Sequence, residues 1–235
     1  MHIGRLICLE GIEGSGKTTH AEFILRYLQS INQTAISTRE PGGTPIAEAI
    51  RGLLLQNQNS ARDQDQTTNS GARQHFAEGV QEALTPEAEL LLMFAARSQH
   101  ITHRIRPALQ AGHWVICDRF TEASYAYQGG GRKLTGAFIH CLETYVQHDL
   151  KINRVILLDI PVSLALSRIH TRRMKIPQYY DRIEAETEVF FTRVRAAYLS
   201  RAKQYPELYC IIDANAPLEQ VQQQITQVLQ ELLIA

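Results

Sequence analysis

The run Gly11-Ile12-Glu13-Gly14-Ser15-Gly16-Lys17-Thr18 starts ten residues from the N-terminus, directly behind the apolar stretch Leu6-Ile7-Cys8-Leu9. Its spacing, Gly-x-x-x-x-Gly-Lys-Ser/Thr, has meaning where a strand precedes it and a helix follows. Both flanks fit. Glycines let successive backbone N–H groups turn inward around a polyphosphate, and a helix N-terminus adds the positive end of its dipole. Lys17 would reach the β- and γ-phosphates of a nucleoside triphosphate, and the Thr18 hydroxyl would take a place on Mg²⁺. The class this demands is α/β, a three-layer P-loop NTPase-type fold with a five-stranded parallel sheet flanked by helices.

The rest of the chain alternates apolar runs with amphipathic ones, as βαβ units do. Strands are expected at Leu6–Glu10, Thr34–Thr38, Trp114–Cys117, Val155–Asp159 and Tyr209–Ile212. Helices are expected at Thr18–Ser30, Ile46–Leu55, Pro86–Ala111, Gly136–Gln147, Val162–Arg173, Ile183–Gln204 and Leu218–Leu233. In the last, Val221, Ile225, Val228 and Leu232 recur at helical spacing and should pack on the body. Gln56–Leu84 breaks the rhythm: rich in Gln, Asn and Asp, it reads as a surface insertion, with a helix as the alternative only at Gln74–Ala83. Arg168–Arg182 carries Arg168, Arg172, Arg173, Lys175 and Arg182 around Pro177. Such a run is either a solvated face or a lid over phosphates.

Charge excludes some classes. Lys plus Arg equals Asp plus Glu, 24 each in 235 residues. The overall field therefore favours neither nucleic acid nor membrane, and any anionic substrate must be held by local arginines. The four cysteines show neither C-x-x-C nor a metal spacing, which suits reduced thiols in a cytoplasmic protein. No apolar run approaches membrane-spanning length.

Further motifs sit where strands end. Val115-Ile116-Cys117-Asp118-Arg119-Phe120 puts an acid at the C-terminal end of a strand, the end where ligands gather in parallel sheets. Asp118 could hold Mg²⁺, directly or through water, or only form a strand-end ion pair. Arg119 could bridge donor and acceptor phosphates. Thr38-Arg39-Glu40-Pro41-Gly42-Gly43-Thr44 reads as a tight loop, and Arg39 and Arg51 could clamp a second phosphate. Tyr125-Ala126-Tyr127-Gln128-Gly129-Gly130-Gly131-Arg132 reads either as a flexible loop or as part of a nucleobase pocket.

Taken in order, Gly-x-Glu-Gly-x-Gly-Lys-Thr-Thr, Thr-Arg-Glu-Pro-Gly-Gly-Thr, Phe-Ala-Ala-Arg, Cys-Asp-Arg-Phe, Ala-Tyr-Gln-Gly-Gly-Gly-Arg and Asp-Arg-Ile-Glu resemble bacterial thymidylate kinase from Leu6 to about Leu232. The resemblance implies γ-phosphoryl transfer from MgATP to dTMP by a single nucleoside monophosphate kinase domain over 1–235, usually as a homodimer. It implies an ATP-facing set of Gly11, Glu13, Gly14, Ser15, Gly16, Lys17, Thr18, Thr19 and Arg168, with Mg²⁺ on Thr18 and Asp118. It implies that Glu13 meets the 3′-hydroxyl of dTMP, that Arg97 reads the thymine edge, and that Ser124 and Gln128 also read the base. Arg51 and Arg119 match acceptor-side arginines, with Arg119 on the dTMP phosphate. Glu40 lies near the acceptor, and Tyr127 closes the sugar side.

Catalysis is implied for Lys17, Asp118 and Arg119 together with Arg172 and Arg173. Positions 12–15 hold no arginine and the lid about 168–182 is rich in it, so the chain resembles the type that keeps its catalytic arginine in the lid. Three departures stand out. Met93 occupies the position of a Phe that commonly stacks on the base, so either Phe94 stacks or Met93 supplies a thioether contact. The lid looks lengthened over Lys175–Tyr180, and the insertion about 56–84 is long for the family. Another nucleoside monophosphate kinase, or a nucleotide switch, are the alternatives. Neither Asn-Lys-x-Asp nor Asp-x-x-Gly, the strings of a GTP switch, occurs.

Overall fold

The computed structural model describes residues 4–55, 83–175 and 181–234. Its strands β1 (Leu6–Glu10), β2 (Ala35–Arg39), β3 (Trp114–Asp118), β4 (Arg154–Asp159) and β5 (Tyr209–Asp213) form one parallel sheet in the order β2-β3-β1-β4-β5. Each lies within one residue of the expected apolar run. β1 is central and every residue in it is buried, as a strand covered on both faces must be. Helices α1 (Lys17–Ser30), α2 (Pro45–Leu55), α3 (Pro86–His100), α4 (Arg106–Gln110), α5 (Thr121–Ser124), α6 (Gly136–Gln147), α7 (Val162–Lys175), α8 (Glu188–Gln204) and α9 (Leu218–Ile234) flank the sheet. The core joins the sheet to the apolar faces of α1 (Ala21, Ile24, Leu28) and α9 (Val221, Ile225, Val228, Leu229, Leu232). Each such Val, Leu or Ile side chain contributes about 1.5–3 kcal/mol when fully buried.

Two helical expectations and one loop reading need correction. The expected helix Pro86–Ala111 starts as anticipated, with the Thr85 hydroxyl capping the Ala88 N–H and Pro86 in the first turn. It then widens into a π-helical turn at Ile101–Ile105 before α4. Pro107 has no N–H to give and its ring crowds the carbonyl four residues back, so the ladder widens just before it. The helix expected from Ile183 begins only at Glu188, where Thr187 caps the Phe190 N–H. The Asp181 carboxylate instead accepts from the Ile183 and Glu184 N–H groups in a separate turn.

The third correction concerns Tyr125–Gly131, which is a π-helical turn continuing α5 rather than a flexible loop. Its glycines serve close approach. A Cβ at Gly130 would lie 2.6 Å from that of Ala197, and one at Gly131 2.5 Å from the Phe190 ring. The turn is thereby seated directly on α8.

Strand order fixes where the site must be. From β1 the chain runs across β3 to β2, while from β3 it crosses β1 to β4. The loops leaving these neighbouring strands therefore part in opposite directions, and the crevice between them is the place for a ligand. Cys8 and Cys117, register partners on β1 and β3, are buried, and burial raises both thiols well above the ordinary range. Among the described residues no helix is long and apolar enough to cross a membrane. Residues 56–82 of the expected insertion and 176–180 of the expected lid lie outside the described residues.

Candidate active site

The phosphate loop follows β1 as its glycines require. Gly11, Gly14 and Gly16 all have positive φ (137°, 77° and 92°), where side chains are strained. A Cβ at Gly11 would stand 2.5 Å from the Leu158 carbonyl oxygen, and one at Gly14 2.8 Å from that of Ala165. Lys17 is buried and its ammonium folds back onto the loop, donating to the Gly11 and Ile12 carbonyls at 3.0 Å each. Burial first, then the Arg119 guanidinium, pull its pKa from 10.5 down to about 8. Ser15 is buried beside it, while Thr18 and Thr19 are exposed.

Asp118 ends β3, and the Thr18 hydroxyl donates to its Oδ2 at 3.2 Å. The pair expected for a metal thus meets across 100 residues of sequence. Among the described residues no group of three or more His, Cys, Asp or Glu side chains gathers as a metal cluster. Arg119 follows in a left-handed conformation (φ 68°), unusual for a residue with a side chain. From there NH1 donates to the Gly11 carbonyl at 2.8 Å and to the Tyr198 hydroxyl at 3.3 Å. NH2 donates to Glu13 Oε1 at 2.6 Å, and the guanidinium lies 4.8 Å from the Tyr127 ring centroid.

Glu13 is the hinge between two halves of the site. Its second oxygen accepts the Tyr127 hydroxyl at 2.6 Å, so one carboxylate in the phosphate loop binds both Arg119 and Tyr127. Together with Glu40, Arg51, Arg97, Ser124 and Gln128 these residues line an open cleft of about 550 Å³. Arg97, 2% exposed, donates from Nε to Glu40 Oε2 at 2.7 Å, from NH1 to Ser124 Oγ at 3.1 Å and from NH2 to the Phe120 carbonyl at 3.2 Å. Gln128 donates to the buried Glu89 carboxylate at 2.7 Å, and Arg51 to the Pro41 carbonyl at 2.9 Å behind a cis Glu40-Pro41 bond.

Phe94 does not line the cleft; Met93 does. Met93 and Arg97 are four apart on α3 and share a face, whereas Leu90 and Phe94 share the next one and pack with Ile139. The Phe94 ring instead carries the Arg97 guanidinium, 4.5 Å above its centroid.

Arg168 donates to the Gly14 carbonyl of the phosphate loop at 3.1 Å and to that of Ala214 at 3.3 Å. Arg172 is paired with Glu184, and Arg173 is exposed beside it. Arg182 donates to Glu89 at 2.6 Å and to the Leu54 carbonyl at 3.0 Å, so it ties the turn before α8 to α2 and α3.

Other residues of the site were not singled out in the sequence. Asp181 and Ile183 line the cleft from the turn before α8; they stand inside the Asp-Arg-Ile-Glu motif, which was a usable signal. Glu10 is fully buried at the end of β1 and accepts from the Phe120 N–H and the Tyr198 hydroxyl, each at 2.7 Å. Burial pushes it from 4.5 up to about 7, although Arg119 and those two hydrogen bonds work the other way. An acid closing an apolar strand just before Gly11 could have flagged it.

The chain was compared with known proteins. A family model described as thymidylate kinase matches residues 9–86 and 64–225. A protein named thymidylate kinase from Chromohalobacter salexigens is 46% identical over 230 residues, 98% of this chain and 97% of that one. Another of the same name, from Vesicomyosocius okutanii, is 44% identical over 232 residues, 99% of this chain and 100% of the other. The crystal structure of thymidylate kinase from Ehrlichia chaffeensis matches with a TM-score of 0.67 at 27% identity, over 96% of this chain and 98% of that one.

Proposed function

The chain belongs to the thymidylate kinase family, and from that premise we propose how its side chains carry the γ-phosphoryl group of MgATP to dTMP, giving ADP and the dTDP from which dTTP is made. One observation carries the assignment of roles: acceptor-side residues from separate segments line a single cleft, and that cleft shares Glu13 and Arg119 with the phosphate loop.

On the donor side, backbone N–H groups from Gly11 to Thr19 receive the ATP phosphates, Lys17 leaves its loop carbonyls for the β- and γ-oxygens, and Arg168 steadies the loop from α7. Mg²⁺ fits the Thr18 and Asp118 pair: both offer hard oxygens, and this ion takes one or two protein oxygens and completes its shell with water and phosphate. Held there, it would supply positive charge to offset that of the phosphate oxygens.

On the acceptor side, Arg97, Ser124 and Gln128 read the base with Met93 on the wall beside them. Glu13 has lone pairs to spare for the sugar 3′-hydroxyl. Tyr127 closes the sugar side, Glu40 holds Arg97, and Arg51 stands at the phosphate side. The transfer needs positioning and charge neutralisation rather than a covalent intermediate. Arg119 supplies this between the two phosphates, and Arg172 and Arg173 add to it from the lid about 168–182 when Arg172 exchanges Glu184 for phosphate.

Residues 1–235 act here as one kinase unit with an insertion about 56–84, in the cytoplasm where the nucleotides are. Two copies associate through α3 and α6, which pack together; Leu91 on α3 and Phe138 and Tyr145 on α6 are exposed, which supports this, and sedimentation equilibrium giving a monomer at working concentration would refute it.

A coupled assay of ADP release from MgATP against dTMP, dUMP, dCMP, AMP, GMP and UMP tests the whole reading. Strong turnover with dTMP and weak turnover with dUMP is the expected result. Preference for another monophosphate overturns the base assignment, and nucleotide binding without acceptor-dependent turnover overturns the kinase.

A further inference from the structure

His100 is buried completely at the end of α3 and takes no direct part in the cleft. Its Nδ1 lies 3.0 Å from Glu40 Oε1 and its Nε2 lies 2.6 Å from Thr38 Oγ1. An ionised carboxylate offers no proton, so Nδ1 carries the hydrogen toward Glu40, and Nε2 accepts from the Thr38 hydroxyl. Glu40 thus sets the tautomer, and Thr38 holds the far edge of the ring in place.

Glu40 is gripped from two sides. Arg97 Nε takes Oε2 at 2.7 Å and His100 takes Oε1, the two side chains standing three residues apart on one face of α3. An arginine beside a carboxylate with a free oxygen turns to the two-pronged geometry that engages both oxygens at once. Here the second oxygen is occupied, and the guanidinium keeps NH1 on Ser124 and NH2 on the Phe120 carbonyl. Those three bonds use three of its five N–H groups, leaving one on each terminal nitrogen. The His100 seat is also closed from above: a Cβ at Gly43 would fall 2.5 Å from two ring atoms.

We infer that His100 is a positioning residue for acceptor recognition, holding Glu40 so that Arg97 keeps its two remaining N–H groups for the base. This rests on the reading of Arg97 as the group that meets the thymine edge. His100 acts through Glu40 and touches no reacting atom.

The test compares His100→Asn, which keeps an amide nitrogen near the place of Nδ1, with His100→Gln, which keeps one near Nε2. Thr38→Val, of the same shape, serves if the His100 variants fold poorly, and Arg97→Lys is the control for the underlying reading. Loss of the Glu40 contact should raise KM for dTMP about tenfold in His100→Gln, the size of one hydrogen bond, with KM for MgATP nearly unchanged. His100→Asn should restore most of it, and Thr38→Val should raise KM for dTMP a few-fold. The preference for dTMP over dCMP should fall along with affinity in His100→Gln. Equal effects of Asn and Gln on both Michaelis constants, tracking only a lower melting temperature, would reduce His100 to a packing residue and overturn the inference. An unchanged KM for dTMP in Arg97→Lys would instead overturn the reading of Arg97. A large effect there with wild-type behaviour in every His100 and Thr38 variant would overturn the role of His100 alone.

Discussion

Arg119 and Glu13 are joined at 2.6 Å across the crevice between the loops that leave β3 and β1. The arginine that follows β3 and the acid of the phosphate loop thus hold each other. Replacing Arg119 by Ala removes both charge neutralisation and this tie. Turnover at saturating MgATP and dTMP should fall by about 10³–10⁵, as for an arginine finger. Steady-state kinetics showing near-normal kcat would remove Arg119 from the transferring group.

Lys17 sets an alkaline limit. Its ammonium is buried and lowered to about 8, so it is charged below that pH and neutral above it. Only the charged form attracts phosphate, and kcat/KM for MgATP reports the free enzyme. The pH profile should therefore descend through about pH 8. A flat profile to pH 10 would show that Lys17 keeps its proton in the free enzyme.

Glu10 makes the opposite kind of statement, about stability. Its folded pKa of about 7 is above its usual 4.5, so the folded state binds the extra proton between those values. The contribution is full below pH 4.5 and is lost as pH rises through 7. In Glu10→Gln that loss disappears. Urea unfolding of both forms at pH 5 and pH 8 should show the variant gaining about 2–3 kcal/mol on the parent across the interval. No relative gain would mean that Tyr198 and Phe120 already hold the carboxylate ionised.

Gly130→Ala tests the seat of the Tyr125–Gly131 turn on α8. The new methyl would meet Ala197 at 2.6 Å and the Arg193 carbonyl at 3.1 Å. Overpacking of this kind costs about 1–3 kcal/mol. Calorimetry should show a lower melting temperature, and KM for dTMP should rise because Tyr127 and Gln128 ride on the same turn. An unchanged transition would mean that α8 yields at Ala197.

Much of the site could be read from the sequence because each piece of it is a short local motif. Glycines before Lys17, an acid ending an apolar run at Asp118, and Arg51 and Arg119 each stand out within a few residues, whereas Arg97 was marked only by the motif it shares with the family. Strand existence was equally local, but strand order is set by crossover packing and had no local trace. Met93 and Phe94 show the limit sharply. One residue along a helix is a rotation of about 100°, so choosing between them needs the phase of α3. Leu90 and Phe94 set that phase by packing on Ile139, a contact that only the folded chain supplies. The Tyr198–Glu10 bond spans 188 residues and lay beyond any motif. Gly130 and Gly131 looked like freedom because their packing partner, α8, comes some sixty residues later.

The phosphate loop, the Arg119 corner and the Glu40 loop are stitched in series by main-chain bonds: Arg119 N–H to the Leu9 carbonyl and Glu40 N–H to the Asp118 carbonyl, both 2.9 Å. Three loops from three strands thus share one foundation. Amide protons at these two stitches will exchange with solvent only when the sheet itself opens on either side of β3, more slowly than those of the arginine-bearing end of α7. A ligand entering the cleft meets ground already laid, and the ordering it must bring about falls on the side chains above.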